Sequence, residues 1–137
     1  MRRSILLALK PRFADAIYAG AKLYEYRRVR AKFQPGDYVF VYESHPKKCV
    51  SGQFEIGEVS VGSPSILAAM EPELEIRKLV SRYLFGAKLA TAIQIIKPVK
   101  WKKCLAINEA FPGHRPPQSY LFVRGHADGM FRGHWRS

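Results

Sequence analysis

Apolar and polar positions change period several times along this chain, and each change marks an element. Residues 4–10 are a short apolar run that ends at a lysine, and they read as a first strand. Pro11 then suits the first turn of a helix, where its missing N–H leaves no bond unmade. Phe13, Ile17 and Gly20 share one helical face, and the glycine supplies a left-handed stop, so this helix is short, 11–19. In the strand predicted over 23–28, alternation puts Leu23, Glu25 and Arg27 on one face and Tyr24, Tyr26 and Arg28 on the other. A turn at 33–36 leads into 37–42, which is apolar on both faces and therefore a central, buried strand. Residues 43–48 are a polar connection around Pro46.

Residues 49–61 form a long strand whose phase changes. Val50, Phe54 and Ile56 have one parity, Val59 and Val61 the other, and Gly57 at the switch suits a bulge that re-aims the chain. Bends of that kind help a sheet curl toward a barrel. Ser63-Pro64 opens a helix with Ile66, Leu67 and Met70 as its stripe. A second helix over 73–85 repeats apolar residues at Ile76, Leu79, Val80, Tyr83 and Leu84, spacing that reads as core packing, and Gly86 stops it. Residues 89–96 are a further strand. Residues 98–117 read as connection with one helical turn near 105–110, and 118–123 as the last strand. About six strands with helices after the first strand and between the later ones give an α+β chain built on a mixed β-barrel, occupying 1–123. The segment 124–137 repeats Arg-Gly-His at Arg124 and Arg132 and offers little to bury, so it reads as a flexible basic tail.

Charge changes the picture most. The 137 residues carry a formal net charge of +12, which draws polyanions before any shape is matched. Cations concentrate in 22–30, 47–48 and 97–103, next to tyrosines and a tryptophan, a mixture suited to a phosphate backbone and stacked bases. A membrane binder would instead show a basic amphipathic helix. No apolar run is long enough to span a bilayer. The basic start Met1-Arg2-Arg3 is followed by an apolar run that Lys10-Pro11-Arg12 cuts short with no cleavage site, so the reading is cytoplasmic. Cys49 and Cys104 match no metal spacing and read as two small apolar fillers, with no disulfide expected in that compartment. The histidines do not cluster with carboxylates or thiols. No metal or other cofactor is implied.

Three places carry a resemblance to a known family. Gly20, Lys22, Glu25 and Arg27 form G-x-K-x-x-E-x-R; Leu9-Lys10-Pro11 ends the first strand; Pro116-Pro117-Gln118-Ser119-Tyr120 enters the last. Together they make the chain resemble the ASCH family, a branch of the PUA-like β-barrels, in its small bacterial and archaeal form. The resemblance implies a PUA-like barrel with a cleft beside the first helix and RNA as ligand, single-stranded or flexible. Some members look like ribonucleases acting on single strands. Others resemble amidohydrolases that remove the acetyl group of N4-acetylcytidine with a threonine nucleophile three residues after the motif lysine. Glu25 stands there in this chain, so the hydroxyl that reaction needs is missing.

The candidate residues follow from both arguments. Glu25 and Arg27, two apart on one strand face, are an internal ion pair or a base with a phosphate clamp. Lys22 is placed at the cleft by the family motif. Tyr42, Lys48 and Ser119 lie near strand ends that a barrel can bring to one rim, where with Lys22 and Glu25 they would supply the proton transfers and phosphate stabilisation of RNA cleavage. The RNA-binding set is Lys10, Lys22, Tyr24, Arg27, Arg28, Arg30, Lys47, Lys48, Lys100 and Trp101, with Tyr24, Tyr26 and Trp101 as stacking candidates of which one or two belong to the core. An RNA-binding module is the first expectation and a ribonuclease the second. An amidohydrolase or a partner-binding transcriptional regulator follows.

Overall fold

The strands of this protein bury apolar residues on one face or on both. The computed structural model describes residues 3–110, 112–113 and 115–123. The elements run β1 (Ser4–Leu9), α1 (Pro11–Tyr18), β2 (Tyr24–Arg27), β3 (Tyr38–Glu43), β4 (Cys49–Gly62), α2 (Pro64–Ala68), α3 (Leu74–Leu84), β5 (Ala90–Ala106), α4 (Ile107–Ala110) and β6 (Tyr120–Val123). The six strands form one sheet in the order β2-β5-β4-β3-β1-β6, with β1 parallel to β3 and every other pair antiparallel. The sheet curls into a half-barrel, the mixed α+β fold expected from the pattern. The segment 124–137, expected to be loose, lies outside the described residues.

The parallel pair β1 and β3 is apolar on both faces because both faces are covered. Ile5, Leu7 and Leu9 of β1 and Val39 and Val41 of β3 join Phe54, Ile56, Ile93, Ile95 and the α1 residues Ala14 and Ile17 in one core. The intervening Leu6, Phe40 and Tyr42 pack on the other face with Val50, Trp101, Leu105 and Ala110. A third cluster seals α2 and α3 onto β2 and β5 through Tyr26, Leu67, Ala68, Val80, Leu84, Ala90 and Ala92.

Local chemistry sets the ends of α1. Pro11 begins it, and Gly20, at φ +78°, takes the left-handed conformation that ends it. Gly52 fixes how α1 docks on β4: a Cβ there would stand 2.2 Å from the Val99 carbonyl oxygen and 2.5 Å from the Tyr18 hydroxyl. With no side chain in the way, Tyr18 and Ser51 hydroxyls hydrogen-bond at 2.8 Å.

Three features depart from the sequence reading. β5 does not end near residue 96 but continues to Ala106. Lys97, at φ +52°, and Pro98 interrupt the alternation, and pairing with β4 resumes at Gln53↔Val99. The bulge expected at Gly57 is present, as a register shift between Ile56 and Val59. A second shift lies between Val50 and Gly52, where the single residue Ser51 faces residues 101–104 of β5. That slip brings Cys104 to Cys49, with Cα atoms 5.6 Å apart, and the two form a disulfide rather than acting as apolar fillers. Finally, the α3 stripe divides: Val80 and Leu84 are buried, while Ile76 and Leu79 are half-buried and Tyr83 is exposed.

Candidate nucleic-acid interface

The turn after α1 and the first residues of β2 build the floor of a cleft. Lys22 is only 3% exposed, because the rings of Phe13 and Tyr26 enclose its ammonium, 5.7 and 4.8 Å away. Its Nζ donates to the Tyr24 carbonyl and lies 3.0 Å from Glu25 Oε1. The alternation of β2 puts Arg27 on the same face as Glu25, and Arg27 Nη2 lies 3.3 Å from Glu25 Oε2. The same Nη2 donates to the Ala8 carbonyl at 3.0 Å, which ties β2 to the end of β1. Glu25 is thus held between two cations, the internal ion pair that the two-residue spacing allowed. Arg27 Nε remains buried without a hydrogen-bond partner.

Above this floor is a cleft of about 700 Å³. One wall is the end of β1 with Lys10, Arg12 and Phe13 at the start of α1; the opposite wall is α3, through Ile76, Leu79, Arg82 and Tyr83; Ser44, Pro117 and Gln118 complete it. Five cations (Lys10, Arg12, Lys22, Arg27, Arg82) face one carboxylate, Glu25. Lys10, Arg12 and Arg82 are exposed at the rim. The aliphatic hydroxyl in the lining, Ser44 Oγ, donates to the Leu9 carbonyl at 3.2 Å. The arrangement suits a ligand with anionic groups at the rim and an apolar or aromatic body against α3.

Of the residues singled out in the sequence, Lys10, Lys22, Glu25 and Arg27 meet in this cleft. Lys22 does so from a buried position and not as a surface lysine. Tyr42 does not join them: β3 alternation turns it to the Phe40 face, where it is 3% exposed and burial raises its phenol pKa. Lys48 and Ser119 are exposed and outside the lining. Tyr42 and Ser119 nevertheless flank Ala8, whose Cα partner in β3 is Tyr42 and whose N–H donates to the Ser119 carbonyl at 2.8 Å. Trp101 belongs to the core, with Nε1 donating to Gln53 Oε1 at 3.3 Å, and is closed to stacking. Tyr26 is core too, donating to Glu71 at 2.8 Å, while Tyr24 is half-buried. Arg28 is a helix anchor and not a cleft cation: its Nη1 donates to the Tyr83 and Phe85 carbonyls at the end of α3. Arg30, Lys47 and Lys100 are exposed outside the cleft, and Lys47 pairs with Glu43 at 3.4 Å.

Sequence reasoning missed Arg12, Arg82 and the α3 wall. The signal for the wall was a stripe of five apolar positions on α3, wider than the two residues it buries fully. Among the described residues no group of acidic, His and Cys side chains has the makings of a metal site, and no helix is long and apolar enough to cross a membrane.

A family model described as the ASCH domain matches residues 7–109. No curated protein sequence matches the chain. Among solved structures, the ASCH protein of Zymomonas mobilis superposes with a TM-score of 0.83 at 22% identity, over 97% of this chain and 96% of its own. Two single-substitution variants of that protein, one Tyr→Phe and one Ser→Ala, match with the same TM-score. The N-terminal domain of Staphylothermus marinus McrB matches at 0.65 and 8% identity, over 95% of this chain and 93% of that one. Likeness at these identities is likeness of fold.

Proposed function

The chain belongs to the ASCH domain family, and from that premise we propose that it binds single-stranded or flexible RNA, with the α1–α3 cleft as the seat of one nucleotide. The observation that carries this reading is the composition of the cleft: five cations against one carboxylate, an apolar α3 wall, and a buried Arg27 donor without a partner. Rim cations suit phosphates. An unstacked base offers the apolar face and the carbonyl acceptors that such a wall and donor suit, whereas A-form duplex hides most base edges. The test is a titration of labelled oligouridylate with the wild type and with R12A/R82A. Both arginines are exposed, so the variant keeps its melting temperature while affinity falls and the slope of log K against log salt drops by about 1.4, at ~0.7 per lost phosphate contact. An unchanged slope removes the cleft from the interface.

A second reading, cleavage of the bound strand, draws on the row Ser119–Ala8–Tyr42. A tyrosine and a serine are also the residues exchanged in the two Zymomonas variants. In that reading Glu25 would take the proton of the attacking 2′-hydroxyl, and the Tyr42 hydroxyl, buried on the Phe40 face beside Ala8, would have to be uncovered by the bound strand to give a proton to the leaving 5′-oxygen. Lys10 and Arg12, exposed at the cleft rim, would stabilise the phosphate. A denaturing gel of the same titration separates the two readings. Shortened strands that disappear with Tyr42→Phe, while binding persists, favour cleavage; intact strands favour the binding module.

A further inference from the structure

The lysines of the second half of β5 find no role in the cleft. Lys100, Lys102 and Lys103 are exposed, and together with Lys48 they make no ion pair among the described residues. Their placement is built by the fold. Opposite Ser51 the register slips by several residues, so 101–104 has no one-to-one partner strand and carries Lys102 and Lys103 outward. The Cys49–Cys104 bond ties that segment to the start of β4. Lys48 and Lys103 each adjoin a bridged cysteine. With 5.6 Å between the cysteine Cα atoms, their own Cα atoms are no more than about 13 Å apart. Lys48, at φ +52°, sits at the turn into β4, four residues after Ser44, which lines the cleft and bonds the Leu9 carbonyl. Positive charge therefore continues from the cleft mouth, around the 43–48 connection, to the tied β5 segment, and Glu43, the one carboxylate in that connection, already pairs with Lys47.

We propose that Lys48, Lys102 and Lys103, gathered at the Cys49–Cys104 bridge, form a docking surface for the phosphate backbone of a single-stranded RNA whose other end lies in the cleft. The inference rests on the RNA reading of the cleft and adds the path of the strand beyond it. A flexible single strand suits this path because it can bend from the cleft around the hairpin end, which a stiff duplex cannot.

The experiment compares labelled oligouridylates of about four and about twelve nucleotides, within the range of known single-strand sites, on the full chain with its disulfide intact. K48A/K102A/K103A is expected to weaken the longer strand roughly tenfold at low salt. It should lower that strand's salt slope by about 2, at ~0.7 per contact, and leave the short strand and the melting temperature unchanged. Lys102→Ala alone should lower the slope by about 0.7, which keeps the test open if the triple variant folds poorly. Equal binding of the long strand by wild type and variants overturns the proposal alone. Equal weakening of both lengths also overturns it, by reducing the lysines to a general attraction. Absence of binding to either length by the wild type overturns the cleft reading, and this one with it.

Discussion

Lys22 is the residue at which exposure and chemistry diverge most from a reading of the sequence. A lysine in a turn is ordinarily solvated and contributes little to stability. Here the ammonium is buried beside Glu25, so its removal leaves a carboxylate 6% exposed with Arg27 as its remaining cation. Breaking a buried pair from one side costs about 3 kcal/mol or more. Lys22→Ala should lower the urea midpoint accordingly, and a cycle with Glu25→Ala should be non-additive; a midpoint like that of the wild type would mean the pair is solvated. The tyrosines give a second residue-level test. Burial raises the phenol pKa of Tyr18, Tyr26 and Tyr42; the Glu71 carboxylate raises Tyr26 further, and the Ser51 bond lowers Tyr18 in part. A folded pKa above the unfolded value of about 10 means stability that is complete below pH ~10 and lost as pH climbs past it. In an ultraviolet titration, three of the seven tyrosines should ionise only with unfolding. Seven reversible ionisations from a folded chain would contradict the burial.

At the scale of elements, the Cys49–Cys104 bond closes a segment that spans 55 positions and includes α2 and α3. The loop-closure argument gives it about 4 kcal/mol, acting mainly on the unfolded chain. Cys104→Ser should lower stability by an amount of that order in calorimetry under oxidising conditions, and the wild type should lose the same amount on reduction; equal stability of the two forms would contradict the bond. This pairing was not legible in the sequence, because it depends on a register slip between β4 and β5 that no local pattern encodes. Elements governed by local chemistry were legible: the continuous apolar runs of β1 and β3, Pro11 and Gly20 around α1, and the phase change at Gly57. The second half of β5 was not, since Pro98 marks a break in any local reading while the pairing beyond it is set by β4. The site divides the same way. Glu25 and Arg27 share a face by alternation alone, but the enclosure of Lys22 by Phe13 and Tyr26, and the use of α3 as the far wall, are products of packing.

For the whole molecule the decisive quantity is the net charge of +12. Like charges on one small domain repel and oppose the compact state. Against this stand ion pairs of two kinds. Lys78–Glu75 and the outer ends of Lys47–Glu43 and Lys97–Glu55 are exposed and contribute little, whereas Lys22–Glu25–Arg27 is buried and salt screens it weakly. Salt therefore removes more repulsion than attraction. Between about 10 and 150 mM potassium chloride, over which the screening length shrinks from ~30 to ~8 Å, the melting temperature should rise by several degrees. RNA at low salt should raise it further, because a ligand that binds the folded chain alone stabilises it by mass action. The two effects oppose each other in a mixture: salt stabilises the free protein and releases the RNA. With saturating oligouridylate the melting temperature should accordingly fall as salt is added, toward the curve of the free protein, while the free protein's own curve climbs. A free-protein curve that fell with salt would mean that solvent-exposed ion pairs, and not repulsion, dominate the surface. Two curves parallel at every salt concentration would mean that the bound oligomer is not held by charge.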